Sequence, residues 1–162
     1  MKKLAILMLA LGFFACKNEK DKESVNPESS SFSAEKNNEK WTGGTSLQLK
    51  SADSDTVSFF FVANHPNDEV LVINVKFDGM GVYPLNRNQA FYYTTIGGDV
   101  ISSRYAMSSE DTGRLVITKY DTIHKEIEGN FEISLKKQSA NPENNVDVLK
   151  FTNSSFKLKL VK

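Results

Sequence analysis

The sequence has few of the residues from which metal, redox and nucleophilic sites are usually built. Its 162 residues include one cysteine, Cys16, and two histidines, His65 and His124. A lone cysteine excludes an intramolecular disulfide and multi-thiolate zinc sites. Both histidines lie in or beside predicted turns of separate hairpins, so we expect them at the surface. Because a G-x-S-x-G elbow and a glycine-rich phosphate loop are also lacking, we expect no enzyme activity, no catalytic residue and no cofactor.

Acidic side chains near predicted loop ends are the alternative source of a metal site. They are Asp53, Asp55, Asp68 and Glu69. Their spacing lacks the repeated oxygen ligands of a calcium loop, so we expect no metal site.

An excess of charge of one sign is lacking too, since 20 basic and 20 acidic side chains give a net charge of zero. Loss of Lys2 and Lys3 with residues 1–15 would leave 18 basic and 20 acidic side chains, a net charge of −2. The lysines alternate with Asp and Glu and form no basic stripe that would neutralise phosphates. We therefore expect no nucleic-acid partner.

Residues 4–15 form a twelve-residue apolar run after the basic start Lys2-Lys3. The run is too short to span a hydrocarbon core of roughly 30 Å as a helix, and its setting is typical of a secretion signal. It ends at Ala15-Cys16, which resembles the lipobox of bacterial lipoproteins, although Phe13 and Phe14 depart from the commonest pattern. The resemblance implies that Cys16 becomes the acylated first residue of the mature chain, carrying palmitate-type lipid; the alternative is an ordinary buried thiol. Several acyl chains would hold the protein on the membrane permanently.

Residues 17–31 contain one aliphatic side chain, Val25, among charged residues and serines. Such a segment buries too little apolar surface to offset its ordering entropy, so we expect a flexible tether with a reach of roughly 20 Å. The charged residues directly after Cys16 are similar to the signal that exports Bacteroidota lipoproteins to the outer face of the outer membrane; a generic spacer is the alternative. The predicted organisation is thus a signal peptide (1–15), an anchor and tether (16–31) and one domain (32–162).

From residue 31 onward, strand signals recur every eight to twelve residues between clusters of turn residues, and no segment has helical periodicity. This pattern predicts an all-β domain, an antiparallel β-sandwich or a flattened lipocalin-like barrel of about ten strands. Gly43-Gly44, Gly97-Gly98 and the segment 78–81 are interpreted as turns. The predicted strands are 32–35, 47–51, 56–63, 70–77, 90–96, 100–107, 113–120, 126–137, 146–152 and 156–161.

Residues 112–137 are predicted to form the central hairpin. Alternation places Ile127, Phe131 and Ile133 on one face and charged residues on the other. The turn is predicted to have three or five residues, starting at Asp121. With five, Ile117 would lie opposite Gly129 and Leu115 opposite Phe131, which leaves room beside Gly129 for a ring or a bulge.

Two aromatic triplets, 59–61 and 91–93, must each direct at least one ring away from the others. We expect Phe60 or Tyr92 to face outward and, with Tyr83, to offer a ligand or partner surface; packing against a second layer is the alternative. Thr122 and Thr56 lie in short Asp-Thr-Ile and Asp-Thr-Val sequences that match the O-glycosylation pattern of Bacteroidota.

Several short sequences, taken together, resemble a group of small Bacteroidota lipoproteins of unknown function. The most specific are residues 117–121 (ITKYD) and 127–131 (IEGNF), with 81–85 (GVYPL) and the closing 151–153 (FTN). The resemblance covers the whole mature domain and implies a lipid-anchored β domain without a known activity.

We expect a binding or interaction module of the cell envelope, anchored through Cys16 to the outer membrane, with a protein, glycan or small-molecule partner. The alternatives are a lipocalin-like carrier of lipid or another small ligand, a barrel-type enzyme using Tyr83, Arg104 and Tyr105, and an inhibitor or immunity lipoprotein.

We predict that mass spectrometry of the native protein will find acyl chains on Cys16, and that Cys16→Ala will release the protein from membranes. An unmodified mature protein that fractionates with soluble proteins would refute the lipobox interpretation.

Overall fold

A computed structural model describes residues 30–50, 55–63 and 69–160 of the chain. The predicted signal peptide, Cys16 and nearly all of the predicted tether lie outside the described residues, as does His65.

The described residues form ten β-strands, all paired antiparallel, and no helix. In that part of the chain there is consequently no helix with the length and hydropathy needed to cross a membrane. The strands are β1 Ser31–Lys36, β2 Glu39–Leu49, β3 Thr56–Ala63, β4 Glu69–Lys76, β5 Gly81–Leu85, β6 Ala90–Ile96, β7 Val100–Ala106, β8 Gly113–Asp121, β9 Glu126–Ala140 and β10 Val148–Lys159.

All ten strands belong to one sheet in the order β10-β1-β2-β3-β4-β6-β7-β9-β8-β5, and β9 also pairs with β10. This last pairing closes eight of the strands into a ring, a flattened barrel. Strands β8 and β5 extend from the ring because β8 pairs with the first half of β9 and β7 with its last residues. The all-β prediction is confirmed, and the closed sheet favours the barrel over two separate sheets.

The barrel has two ends, which we call the N-terminal end and the far end. Ser30 lies at the N-terminal end, where it accepts a hydrogen bond from the Lys159 amide, and the β8–β9 turn lies there too. The β1–β2 turn, the β6–β7 turn at Gly97-Gly98 and the loop 141–147 between β9 and β10 lie at the far end.

The interior is filled with side chains, and aromatic rings dominate it. Phe61 packs against Phe32, Phe131 and Phe156 with centroid separations of 4.6–5.5 Å. Trp41 contacts Phe151 at 5.0 Å in the same core. Burying a large apolar side chain contributes about 1.5–3 kcal/mol, so these rings are a major source of the domain's stability.

The central hairpin has the predicted register, with Ile117 opposite Gly129 and Leu115 opposite Phe131. The space beside Gly129 is occupied by the Phe156 ring, whose nearest carbon would lie 2.8 Å from an added Cβ. The predicted turn length is wrong: a bulge at Thr118 absorbs one residue, so the turn has four residues, Thr122–Lys125.

Three other expectations of local structure are wrong. Residues 81–85 form strand β5, which is absent from the predicted strands and begins at the last residue of the predicted turn 78–81. The two predicted strands 146–152 and 156–161 are one strand, β10, interrupted by a bulge. At the bulge the Ser154 hydroxyl accepts from the Phe131 amide and donates to the Phe131 carbonyl, so a polar side chain replaces the missing backbone partner.

The third error concerns Gly43-Gly44, which lies inside β2 and not in a turn. Gly43 faces the core at a point where β3 comes so close that a Cβ would lie 1.8 Å from the Val62 carbonyl oxygen. Gly44 has open space, since its nearest neighbour, the Ser30 carbonyl oxygen, is 4.0 Å away. Gly43 is therefore required by close backbone packing.

We predict that Gly43→Ala will destabilise the domain by about 1–3 kcal/mol or more, because backbone atoms must move to accept the methyl group. Gly44→Ala, its matched control, should be neutral or up to about 1 kcal/mol stabilising, because alanine restricts the unfolded chain. Urea unfolding midpoints at unchanged slope measure both. Equal midpoints would contradict the β2–β3 register.

Candidate binding cleft at the far end of the barrel

A cleft of about 510 Å³ opens at the far end of the barrel. Its walls combine hydroxyl, amide and charged side chains with two tyrosine rings. The lining includes Lys36, Glu69, Tyr92, Thr94, Ser102, Ser103, Tyr105 and Asn144.

Alternation along the strands explains why polar groups collect here. In β6 the inward-facing side chains are, in order, Ala90, Tyr92 and Thr94. The row of inward-facing residues that starts in the core therefore ends at the Thr94 hydroxyl. Lys36 and Glu69 occupy corresponding positions, at the last residue of β1 and the first of β4. Each strand thus continues an apolar inner face to one polar residue at the barrel mouth.

An ion pair forms one side of the cleft. The Lys36 ammonium lies 2.6 Å from the Glu69 carboxylate, and each side chain is about one-fifth exposed (20% and 21%). The same ammonium donates to the Tyr92 hydroxyl at 3.4 Å. Burial, and then the charge of Glu69, raise the pKa of Tyr92, so the phenol stays protonated and can donate a hydrogen bond.

Three hydroxyl groups form the opposite side. Thr94 Oγ1 lies 2.7 Å from Ser102 Oγ and 2.6 Å from Ser103 Oγ. Each hydroxyl has one donor and two acceptor lone pairs, so the two bonds among them use two of three O–H groups and leave acceptor capacity as well. The cluster can therefore both donate to a bound group and accept from it.

The loop 141–147 forms the outer wall of the cleft and is held by two strand residues. Tyr105 donates its hydroxyl hydrogen bond to the Val146 carbonyl at 2.9 Å or to the Asn144 amide oxygen at 3.1 Å. Lys137 contacts Glu143 at 2.6 Å, the Asn144 carbonyl at 2.7 Å and Asp147 at 3.1 Å. These contacts make the wall a preformed part of the site.

Comparison with known families finds a match over most of the chain. Residues 28–158 match the family described as "Domain of unknown function (DUF6252)", a range that includes all of β1–β9, nearly all of β10 and the whole cleft. The chain belongs to the DUF6252 family. Neither the curated proteins nor the solved structures contain a match to this chain.

The aromatic residues predicted as a surface do not lie together in the DUF6252 domain. Phe60 faces outward and is half-buried, as expected, beside Val72. Tyr92 was expected to face outward, and this is wrong: it is only 2% exposed inside the barrel, while Phe91 and Tyr93 face outward. Tyr83 lies at the N-terminal end, where its hydroxyl donates to the Gly79 carbonyl at 2.6 Å.

The three side chains considered for a barrel-type enzyme are also separated. Tyr105 lines the cleft, Arg104 lies on the outer surface over the Phe91 ring at 5.8 Å, and Tyr83 lies at the opposite end. The residues considered for this enzyme therefore do not form one site.

The remaining predicted positions fall in turns and at strand ends. Thr122 is exposed in the β8–β9 turn and Thr56 is half-buried at the start of β3. His124 is exposed and contacts the Asp121 carboxylate at 2.7 Å. Asp53 and Asp68 lie outside the described residues, and within the described ranges no three acidic, histidine or cysteine side chains converge as a metal site would require.

Sequence reasoning missed most of the cleft, including Lys36, Glu69, Thr94, Ser102 and Ser103. The usable signal was the residue at which each apolar alternation ends, since Glu69 precedes Leu71 and Thr94 follows Tyr92 in the same register. That signal predicts a shared site only when the strands are known to end at the same mouth of the barrel.

A second polar cluster, on the outer face of the DUF6252 barrel, surrounds Glu126. Lys119 and Lys157 contact its two carboxylate oxygens at 2.5 and 2.6 Å, and the carboxylate side chain is 8% exposed. Hydrogen bonds from Lys119 and then Lys157 lower the pKa of Glu126 from 4.5 to about 2. Because the carboxylate oxygens are already paired, this cluster is a structural ion network.

We predict a pH-dependent stability difference between the wild type and Glu126→Gln. The folded-state pKa is below the unfolded one, so ionised Glu126 stabilises the fold above about pH 4.5, and this contribution is lost as the pH falls towards 2. The variant should melt at a lower temperature at pH 7, and the gap should close between pH 4.5 and 2.

The control is Glu132→Gln, whose exposed pair with Arg114 should contribute little at any pH. A melting-temperature gap for Glu126→Gln that does not change with pH would contradict the assigned pairing.

Proposed function

We propose that the chain is a lipid-anchored binding module of the cell envelope that holds an uncharged, hydroxyl-rich partner, such as the end of a glycan, in the far-end cleft. The main observation in support is that the lining of this cleft offers both hydrogen-bond donors and hydrogen-bond acceptors. A carrier or an enzyme would be built differently, and each alternative meets a specific physical difficulty.

A lipocalin-like carrier needs an apolar cavity inside the barrel. The interior positions that would line such a cavity hold Phe59, Phe61, Phe131 and Phe151, each no more than 2% exposed. Rings packed at this density leave binding to the surface and to the mouths of the barrel.

Charge pairing disfavours an anionic partner. Among the described residues, Lys36 is the cation that lines the cleft, and it is matched by Glu69. Lys137, behind the loop wall, is matched by Glu143 and Asp147, so neither cation is left unpaired to hold a phosphate or a carboxylate. A partner rich in hydroxyl groups can use the remaining donors and acceptors together, because a hydroxyl both donates and accepts.

Binding rather than catalysis is supported by the chemistry of the hydroxyl cluster. Nucleophilic hydroxyls are activated by an adjacent base that is itself oriented by a third group. Thr94, Ser102 and Ser103 instead bond to one another, and the nearby Glu69 is engaged by Lys36.

The anchor is supported by the sequence alone, through the apolar run and Ala15-Cys16. Ser30 lies at the N-terminal end of the barrel, so the mouth that carries the cleft is the one remote from the point where the described chain begins. With an anchor at that end, the cleft would face away from the membrane.

The proposal predicts that the protein will bind at least one member of a panel of neutral oligosaccharides. Thr94→Val keeps the side-chain shape but removes both hydroxyl contacts, so it should weaken binding about tenfold, the effect of losing roughly 1.4 kcal/mol. Isothermal titration or array binding measures the change.

Thr42→Val is the matched control, because Thr42 is half-buried on the outward side of β2 and away from the cleft. Failure to bind any neutral member of the panel, or equal loss in both variants, would refute the cleft as the site.

A further inference from the structure

We propose that the N-terminal end of the barrel rests on the surface of the membrane that carries the anchor, through a rim formed by Leu49, Met80, Tyr120 and Ile123. This inference rests on the lipid anchor of the proposed function, and the experiment below separates failure of the anchor from failure of the contact. The occupant of the rim is the lipid surface itself.

The rim exposes side chains that the core normally removes from water. Leu49 is 62% exposed, Met80 66% and Ile123 85%, with Tyr120 at 38%. Single exposed apolar residues are ordinary on soluble proteins, but these four lie at the same end of the barrel.

Backbone and ring contacts connect the rim residues around one end. Lys50, next to Leu49, donates its amide to the Thr56 carbonyl at 3.0 Å, and the Phe77 amide donates to the Asp55 carbonyl at 3.3 Å. The Phe77 ring lies 5.2 Å from Tyr120, which in turn borders Gly79, the neighbour of Met80. Ile123 follows in the β8–β9 turn.

The described chain begins beside this rim. Ser30 accepts from the Lys159 amide at 3.0 Å, and the next residue, Leu160, donates to the Lys125 carbonyl at 2.8 Å. Lys125 lies in the same four-residue turn as Ile123. The first described residue therefore adjoins the turn that carries Ile123, the most exposed large apolar side chain among the described residues.

Chain length favours this end for membrane contact. Thirteen residues, 17–29, separate Cys16 from Ser30 along the chain, and a flexible coil of that length has a typical reach of about 20 Å. β10 has 12 residues and so spans about 40 Å, or roughly 30 Å along the axis of a barrel with tilted strands. The N-terminal end can thus touch the bilayer at little cost in tether entropy, whereas the far end requires a stretched tether.

The chemistry of the rim fits a lipid interface. Aliphatic tips and a tyrosine are the side chains that enter the headgroup boundary, and lysines beside them can reach phosphates. Lys50 and Lys159 are exposed near the rim, while Asp55 is paired with Lys76 and Asp121 with His124. Since basic and acidic groups nearly balance, we expect contact that depends little on ionic strength.

The far end supplies a matched control. The β6–β7 hairpin there exposes Ile96 (59%), Val100 (58%) and Ile101 (56%), so apolar exposure alone does not distinguish the two ends. If exposure alone decided membrane contact, both ends would insert equally.

The experiment uses the native lipidated protein in vesicles of phosphatidylethanolamine and phosphatidylglycerol that carry brominated acyl chains. Because Cys16 is the only cysteine of the chain and its thiol is blocked by lipid, Ile123→Cys, Met80→Cys and Val100→Cys can each be labelled with one environment-sensitive fluorophore. Flotation of the vesicles reports the anchor, and bromine quenching with a blue shift reports contact. Far-ultraviolet circular dichroism checks that each variant is folded.

We expect all three variants to float, and labels at positions 123 and 80 to be quenched and blue-shifted while the label at 100 is not, at both low and high salt. Flotation without quenching at 123 and 80, or with equal quenching at 100, would overturn the membrane contact and leave the anchor intact. Failure to float would overturn the anchor, and the inference with it.

Discussion

The fold depends on the pairing of β9 with three other strands. Its 15 residues pair with β10 along one edge and with β8 and then β7 along the other. The β9–β10 pairing closes the ring, since without it β10 and one edge of β9 would both have unpaired backbone groups. Two bulges make the closure possible: one at Thr118 sets the register of β8, and one near Ser154 lets β10 follow β1 and β9 together.

Closure has a direct consequence for function. An eight-stranded ring is just wide enough for side chains to fill, and here phenylalanine rings fill it. A ligand of this domain would therefore have to lie on the outside of the barrel or at one of its two mouths. The mouths differ in chemistry because the far one carries a cleft lined by hydroxyls and a paired Lys36, although both ends also expose aliphatic side chains.

The two proposals assign one task to each mouth. A short tether at the N-terminal end would place the apolar rim against lipid and direct the polar cleft away from it. The Glu126 network, near the N-terminal end, holds the first residue of β9 to β8 and β10 through Lys119 and Lys157. The same pairing that starts β9 thus also stabilises the end that we place against the membrane.

The sequence by itself determined the strands and most of their faces, because a period of two is a local property. It predicted that Ile127, Phe131 and Ile133 share the core face, and that Leu115 lies opposite Phe131, since a slip of one residue would expose the whole set. β3 and β6 have their predicted bounds because turn residues flank each of these apolar segments.

Only the tertiary structure decided which residues meet. Residues 91–93 are all aromatic, so alternation along β6 does not tell which of them face the core. Only the alignment of Tyr92 with Tyr105 across β6–β7 showed that the Tyr92 ring faces inward. Glycine is a common turn residue, so the sequence around Gly43 favoured a turn. Its place inside β2 follows from the close approach of Val62 on another strand. The cleft is formed by residues that lie far apart in the chain, among them Lys36, Glu69, Thr94 and Ser103. They meet because closure of the sheet brings four strand ends to one mouth, and no local sequence pattern contains this long-range constraint.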